Sequence, residues 1–356
     1  MNKDNYIKGR GAQFNPHNRF EQLELCREHE EGIDLDPEYD TYATQVYVEH
    51  PKKIVNKVPS KDISLDYSMN PYQGCEHGCI YCYARNTHEY WGFSAGKDFE
   101  SKIIVKENAV ELLRKFLSRK KHIPKPIMLS GNTDCYQPLE KKYKLTRGLL
   151  QCLDEFRHPV GIITKNALVR RDIDVLQSLA KDDLVKVNIS LTTLSNELHN
   201  KLEPRTASPT LRLKTIKELS NAGIPVGIMC APVIPGLNDN EIPKILEAAA
   251  ANGAESAGYT MLRLNGAVAG LFSDWIKKNY PNKADKVLNA TAAAHGGKVS
   301  DSRTGKRMRG EGQLAEMIRH LFYTQSQKYF AGKNSRVLNT SVFKVPSKNG
   351  QLSLFD

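Results

Sequence analysis

From about residue 67 the chain alternates between two hydrophobic patterns. Short runs of β-branched and aliphatic residues occupy 126–130, 160–165, 185–191, 225–231 and 256–262, with a weaker run just before Cys75. Between them lie longer stretches with apolar residues at helical spacing: 105–119, 145–156, 172–180, 211–222 and 241–252. In the first of these Ala109, Leu112, Leu113 and Phe116 share one face of a helix. The 211–222 stretch runs into Gly223, which suits a helix C-cap, and Pro225 follows. Strands alternating with helices of this length predict βα units around a parallel sheet. About six units are present, too few for the eight of a closed barrel.

The pattern breaks on both sides. Residues 1–66 are polar and weakly periodic, with Gly9-Arg10-Gly11, an acidic stretch over 28–40 and a basic one at Lys52, Lys53 and Lys57. They read as an extension that wraps a core over 67–265. Residues 266–345 read as a mixed, less regular segment. Within it Lys298, Arg303, Lys306, Arg307 and Arg309 sit close together, offset only by Asp301 and bracketed by Gly296-Gly297, Gly310 and Gly312. This predicts a mobile basic loop. Residues 346–356 read as a flexible linker ending in a short apolar peptide.

Composition narrows the class. The 356 residues, 40% of them hydrophobic, can build one large α/β domain with extensions or two smaller ones. No apolar run approaches the roughly 18 residues of a membrane span, and the opening Met-Asn-Lys-Asp-Asn-Tyr is not a basic-then-apolar leader. A cytoplasmic protein with no membrane partner is expected. The net charge of +11 suits a partner that carries phosphates, although solubility alone also favours a basic surface. The seven cysteines are odd in number, and Cys75, Cys79 and Cys82 are crowded into eight residues. That is no secreted disulfide framework; it reads as a ligand set.

The crowded segment is Gly74-Cys75-Glu76-His77-Gly78-Cys79-Ile80-Tyr81-Cys82-Tyr83, a C-x3-C-x2-C spacing with an aromatic residue before the third cysteine. Three thiolates from one loop can take three irons of a cubane and leave the fourth open to another ligand. Gly74 and Gly78 let the backbone turn tightly. Lying between a weak strand and the first strong helix, the loop is expected at the C-terminal edge of the sheet, where barrels build active sites. A Cys3His zinc site using His77 or His88 is the competing assignment, but structural zinc usually draws on separated ligand pairs and no second pair appears.

Here the sequence resembles the radical S-adenosylmethionine (SAM) superfamily, and within it a bacterial family of uncharacterised proteins related to spore photoproduct lyase. Gly9-Arg10-Gly11-Ala12, Asn70-Pro71-Tyr72-Gln73-Gly74, the cysteine loop through Arg85, residues 130–140 and Met308-Arg309-Gly310-Glu311-Gly312 carry the likeness. It implies a partial (β/α)6 TIM-like barrel with a 4Fe–4S cluster on Cys75, Cys79 and Cys82. SAM chelates the open iron, and one electron, delivered by a donor protein, splits it into methionine and a 5′-deoxyadenosyl radical that abstracts hydrogen. The resemblance nominates Tyr83, Thr133, Lys165 and Ser190 as SAM contacts. Turn, strand and surface roles are the alternatives for them.

The lyase relationship raises Cys135 as a catalytic hydrogen donor, but the register places the lyase's donor at Gly131, which favours a packing or substrate-lining role for Cys135. Cys26, Cys152 and Cys230 read as buried structural thiols. Arg303, Arg307 and Arg309 are the candidate phosphate contacts, with a solvated basic loop as the alternative. The terminal Gln351-Leu352-Ser353-Leu354-Phe355 resembles the bacterial sliding-clamp-binding peptide, in which Leu354 and Phe355 would fill an apolar pocket; folding back onto the domain is the alternative. Together these features predict a radical SAM enzyme acting on DNA in repair or modification, possibly a lyase. The alternatives are a radical SAM enzyme acting on a protein or small molecule and a non-catalytic Fe–S DNA-binding or clamp-associated sensor.

Overall fold

The structure, a computed structural model, describes residues 7, 9–20, 43–60, 62, 65–333 and 336–346. Cys26 and the peptide residues Gln351, Leu352, Leu354 and Phe355 lie outside the described residues. The strands are β1 (Gln45–Glu49), β2 (Val55–Lys57), β3 (Tyr67–Met69), β4 (Tyr72–Gln73), β5 (Lys102–Lys106), β6 (Ile127–Leu129), β7 (Val160–Thr164), β8 (Val185–Ser190), β9 (Val226–Val233) and β10 (Ser256–Met261). The helices are α1 (Lys97–Ser101), α2 (Ala109–Leu117), α3 (Glu140–Tyr143), α4 (Leu145–Glu155), α5 (Ile173–Ala180), α6 (Asn196–Leu202), α7 (Pro209–Asn221), α8 (Ile242–Ala251), α9 (Ala267–Asn279), α10 (Ala284–Ala293) and α11 (Gly312–Phe330).

The main sheet runs β10-β9-β8-β7-β6-β3-β2. Its first six strands are parallel, and β2 joins β3 antiparallel at one edge. This is the six-unit parallel α/β arrangement that the pattern predicts. On β8, Val185, Val187 and Ile189 pack into the main core, as alternation along a strand requires. Asn188 and Lys186 instead approach Gly227 of β9, where a Cβ would collide with Asn188. The helix stops obey local rules: Ser208 caps α7, its hydroxyl accepting from the Leu211 N–H at 3.3 Å, and Gly223 ends it at φ 75°.

Two expectations need correction. The apolar stretch 105–119 is not one helix, because Lys102–Lys106 pairs with β1 and β4 in a separate three-stranded sheet and α2 starts only at Ala109. Ile103, Ile104 and Val105 are all buried, a run that periodicity cannot assign to helix or strand. Nor is 266–345 irregular, for it contains α9, α10 and the long α11. The last of these packs on α8 and β10, and Ala315, Ile318 and Phe322 join the main core.

The basic segment is also better neutralised than its sequence suggests. Arg303 pairs with both Asp301 and Glu311, Lys306 with Glu311 at 2.6 Å, and Arg307 with Asp62. The Gly305 N–H donates to Asp62 at 2.6 Å and Arg307 donates to the Ser60 hydroxyl at 2.5 Å. This segment therefore ties the chain after β10 to the connection between β2 and β3, the two edges of the open sheet. Among the described residues no helix is long and apolar enough to cross a membrane.

Residues 9–12 do wrap the core. The N–H groups of Gly11 and Ala12 donate to the Glu100 carboxylate at 3.1 and 2.8 Å, and Arg10 donates to the Glu100 carbonyl at 2.6 Å. Glu100 also pairs with Arg85 at 2.5 Å, both side chains fully buried. Removing one partner strands the other charge in the interior. Glu100→Ala is therefore expected to cost about 3–5 kcal/mol, read as a lower urea midpoint. Glu155→Ala, which frees the exposed Arg114, should cost less than about 1 kcal/mol.

Candidate active site

The cysteine loop hangs from the end of β4 and is pinned by backbone. Gly74 and Gly78 take φ of 78° and 68°, values open to glycine. The Cys75 N–H donates to the Phe99 carbonyl at 2.8 Å, the Ile80 N–H to Leu202 at 3.2 Å and the Arg205 N–H to His77 at 3.3 Å. Arg85 reaches back from the following turn to the Cys79 carbonyl at 3.0 Å. Beneath the loop runs Gly11, where a Cβ would collide with the Gly78 carbonyl oxygen. That close approach gives the Gly9–Ala12 motif a physical reason.

All three cysteines line one open cleft of about 140 Å³ together with Tyr81, Tyr83, Thr133, Asp134, Lys165 and Ser190. The cleft lies at the C-terminal ends of β6, β7 and β8, as a parallel α/β fold predicts. Burial pushes the Cys79 and Cys82 thiols up, with Lys165 as an opposing cation for both. Buried thiols gathered at one cavity suit deprotonation by a bound metal centre. Among the described residues no three His, Cys, Asp or Glu side chains close around a single ion. A cubane places each cysteine on a different iron, so three thiols facing a common cavity fit it better than they fit one zinc. His88 lies outside this cleft, packed against Phe93 and Phe99, and burial pushes it down to about 4.

Two buried carboxylates organise the walls. Asp134 accepts from the Thr164 hydroxyl at 2.7 Å and the Lys165 N–H at 2.8 Å, and lies 3.4 Å from His77. It thus joins the ends of β6 and β7 to the cysteine loop. Burial alone would raise its pKa, but His77 and these donors hold it down at about 2. Glu203 pairs with Arg212 at 2.5 Å and accepts from Tyr81 and from Thr192. Arg212 also donates to the Ser190 carbonyl at 2.9 Å, so this network fixes β8 against the aromatic residue of the cysteine loop. Against the effect of burial, Arg212 and Lys165 hold Glu203 at about 2.

The four nominated cofactor contacts do gather here. Tyr83 is half exposed, its hydroxyl donating to the Gly131 carbonyl at 2.6 Å. The Thr133 hydroxyl donates to the Tyr72 carbonyl at 2.7 Å and so ties the end of β6 to β4. The Lys165 ammonium lies 5.8 Å from the Tyr81 ring centre. Ser190 is buried at the end of β8. Cys135, named as a candidate hydrogen donor but favoured for a packing or lining role, packs in the main core and does not line this cleft, which corrects the donor and lining roles; its N–H donates to the Ser130 hydroxyl and its carbonyl accepts from the Thr146 hydroxyl. Cys152 and Cys230 are core thiols, as expected. Arg303, Arg307 and Arg309 are not brought into the cleft. Asp134, Glu203 and Arg212 were missed by sequence reasoning; only the position of Asp134 beside Thr133 hinted at a role.

Residues 69–249, just over half the chain, match the radical SAM superfamily profile. The chain is 36% identical to an uncharacterised protein of Mycobacterium bovis over 65% of this chain and 68% of that protein. It is 31% identical to an uncharacterised protein of Methanocaldococcus jannaschii over 68% of this chain and 86% of that protein. A radical SAM Nα-GlyT isomerase of Pseudomonas phage M6 is 29% identical over 51% of this chain and 36% of its own length. Among solved structures, spore photoproduct lyase complexed with dinucleoside spore photoproduct shares the fold, with a TM-score of 0.59, 17% identity, and coverage of 81% of this chain and 80% of that one.

Two outcomes test the site. Cys79→Ala should lose most of the iron and acid-labile sulfide taken up on anaerobic reconstitution, measured by chemical assay, whereas Cys135→Ala should keep them. Glu203 contributes stability that is complete above its ordinary value of 4.5 and is lost as pH falls toward about 2. Glu203→Gln should therefore be less stable at neutral pH and show a shallower decline between pH 4.5 and 2 in urea titrations.

Proposed function

As the chain belongs to the radical SAM superfamily, we propose that it acts on nucleic acid, as an enzyme of DNA repair or modification. Members of the superfamily use a 4Fe–4S cluster and S-adenosylmethionine. Cys75, Cys79 and Cys82 would hold the cluster, and Tyr83, Thr133, Lys165 and Ser190 would line the SAM site. Bound there, the two supply a 5′-deoxyadenosyl radical able to take a hydrogen atom from a substrate.

The chain's own part is positioning and exclusion of water. Lys165, held at the cleft by its backbone bond to Asp134, offers a charge for the SAM carboxylate. Asp134 and Glu203 fix the ends of three strands before any ligand arrives, so little reorganisation is left for the reaction.

The observation that carries the DNA reading is the site's setting: a radical SAM cleft in a chain of net charge +11. The shared fold with a lyase solved with a dinucleoside spore photoproduct supports it. A lyase-type reaction that returns hydrogen from a protein thiol draws no support from Cys135, which is sealed in the core. Arg309, exposed beside the groove between β10 and α11, remains a phosphate contact in this reading. Arg303 and Arg307 would have to exchange carboxylate partners for phosphate.

After anaerobic reconstitution, with dithionite in place of the electron donor, 5′-deoxyadenosine should form from SAM and rise with UV-irradiated DNA. Product unchanged by DNA would move the substrate to a protein or small molecule. A cluster without product would favour an Fe–S sensor. For the tail, a labelled peptide of residues 346–356 should bind a purified sliding clamp at tens of micromolar or tighter by fluorescence anisotropy, and no binding there would remove the clamp from the proposal.

A further inference from the structure

Arg263 follows β10 at the mouth of the cleft. Its flanks are fixed: the Leu262 N–H donates to Val233 at 2.9 Å, the Leu264 N–H to Val299 at 2.9 Å, and Asn86 donates to the Asn265 carbonyl at 2.8 Å. Leu262 and Leu264 are buried in a second apolar cluster. Arg263 takes the alternate position and lies over the ring of Tyr83, 5.7 Å from its centre. Tyr83 itself lines the cleft and bonds to Gly131 at the end of β6. The guanidinium thus stands beside Tyr83, one of the residues assigned to SAM.

Among the described residues no hydrogen bond or ion pair holds the Arg263 guanidinium. The nearby carboxylates are already committed. Asp62 accepts from Arg307 and the Gly305 N–H, and Asp301 from Arg303 at 2.9 Å. Arg307 adds a like charge close by, and burial with that repulsion pulls the Arg263 pKa down. A half-buried cation held in place beside another cation, with its carboxylates taken, is stabilised by an incoming anion. A guanidinium can offer two parallel hydrogen bonds, the geometry that recognises phosphate.

We propose that Arg263 receives a phosphodiester of the substrate at the mouth of the cleft and so positions the neighbouring nucleoside over the SAM site. This rests on the nucleic-acid reading and adds to it a residue and a contact. It also accounts for a rim cation that plays no part in the internal ion-pair framework.

The test is fluorescence anisotropy with reconstituted, SAM-bound holoprotein and a labelled thymine-containing single-stranded oligonucleotide. A second oligonucleotide carries one neutral methylphosphonate linkage, moved along the strand. Wild type should bind the native strand and lose affinity when the linkage reaches one position. Arg263→Gln should bind the native strand about tenfold more weakly, with a salt slope smaller by about 1. It should no longer discriminate the methylphosphonate, and Arg263→Lys should recover part of the loss. Matched iron content and thermal midpoint separate this from a folding defect, which would move them as well. If Arg263→Gln binds both strands as wild type does, the Arg263 contact is overturned and the nucleic-acid reading stands. If wild type binds neither strand, the nucleic-acid reading falls, and the contact falls with it.

Discussion

The cysteine loop depends on one buried contact, the ion pair of Arg85 and Glu100 beneath it. Both side chains are out of water, so every donor and lone pair must be met inside the protein. Arg85 spends its donors on the Cys79, Ala95 and Gly96 carbonyls as well as on Glu100. Glu100 takes the N–H groups of Gly11 and Ala12 in addition. The pair therefore draws together three segments far apart in sequence: the extension, the cysteine loop and α1. An apolar pair of equal volume could be as stable, but it would not specify which backbone groups meet there. What this arrangement supplies is the position of the loop, on which the spacing of the three thiols depends.

The same logic operates one layer up. Asp134 and Glu203 each convert a desolvated carboxylate into a joint between strand ends and the cysteine loop. The walls of the cleft thus rest on two buried carboxylates that cannot relax without leaving an unpaired charge, which suits chemistry that must keep solvent from a reactive radical.

Strand and helix order from β6 to β10 was legible because short apolar runs alternate with stretches of helical spacing, with Gly131, Gly223 and Gly253 among the breaks between them. The segment 105–119 was not, because a fully buried strand such as Ile103–Val105 carries no alternation and abuts a helix across two residues. The helices α9 to α11 were obscured by their mixed faces: α11 buries only Ala315, Ile318, Phe322 and Phe330. The cysteines announced themselves through spacing. Asp134, Glu203 and Arg212 could not, since what makes them important is burial beside a partner brought in by the fold. Cys135 shows the converse: a reactive residue type near the right strand, buried in the core, where its backbone donates to the Ser130 hydroxyl and accepts from the Thr146 hydroxyl.

The basic segment makes a related point about charge. A count along the chain sees five cations and one carboxylate between Lys298 and Arg309. The fold adds Glu311 from the start of α11 and Asp62 from across the open barrel, so that Arg303, Lys306 and Arg307 are engaged internally. Their role is mechanical as much as electrostatic. They lace the edge at β10 to the edge at β2, where two further βα units would have closed a complete barrel. Net charge therefore says that the surface attracts anions without saying where one binds. Location follows from which cation the fold leaves without a carboxylate, and at the cleft rim that cation is Arg263, which a linear count would have passed over because it stands alone between two leucines.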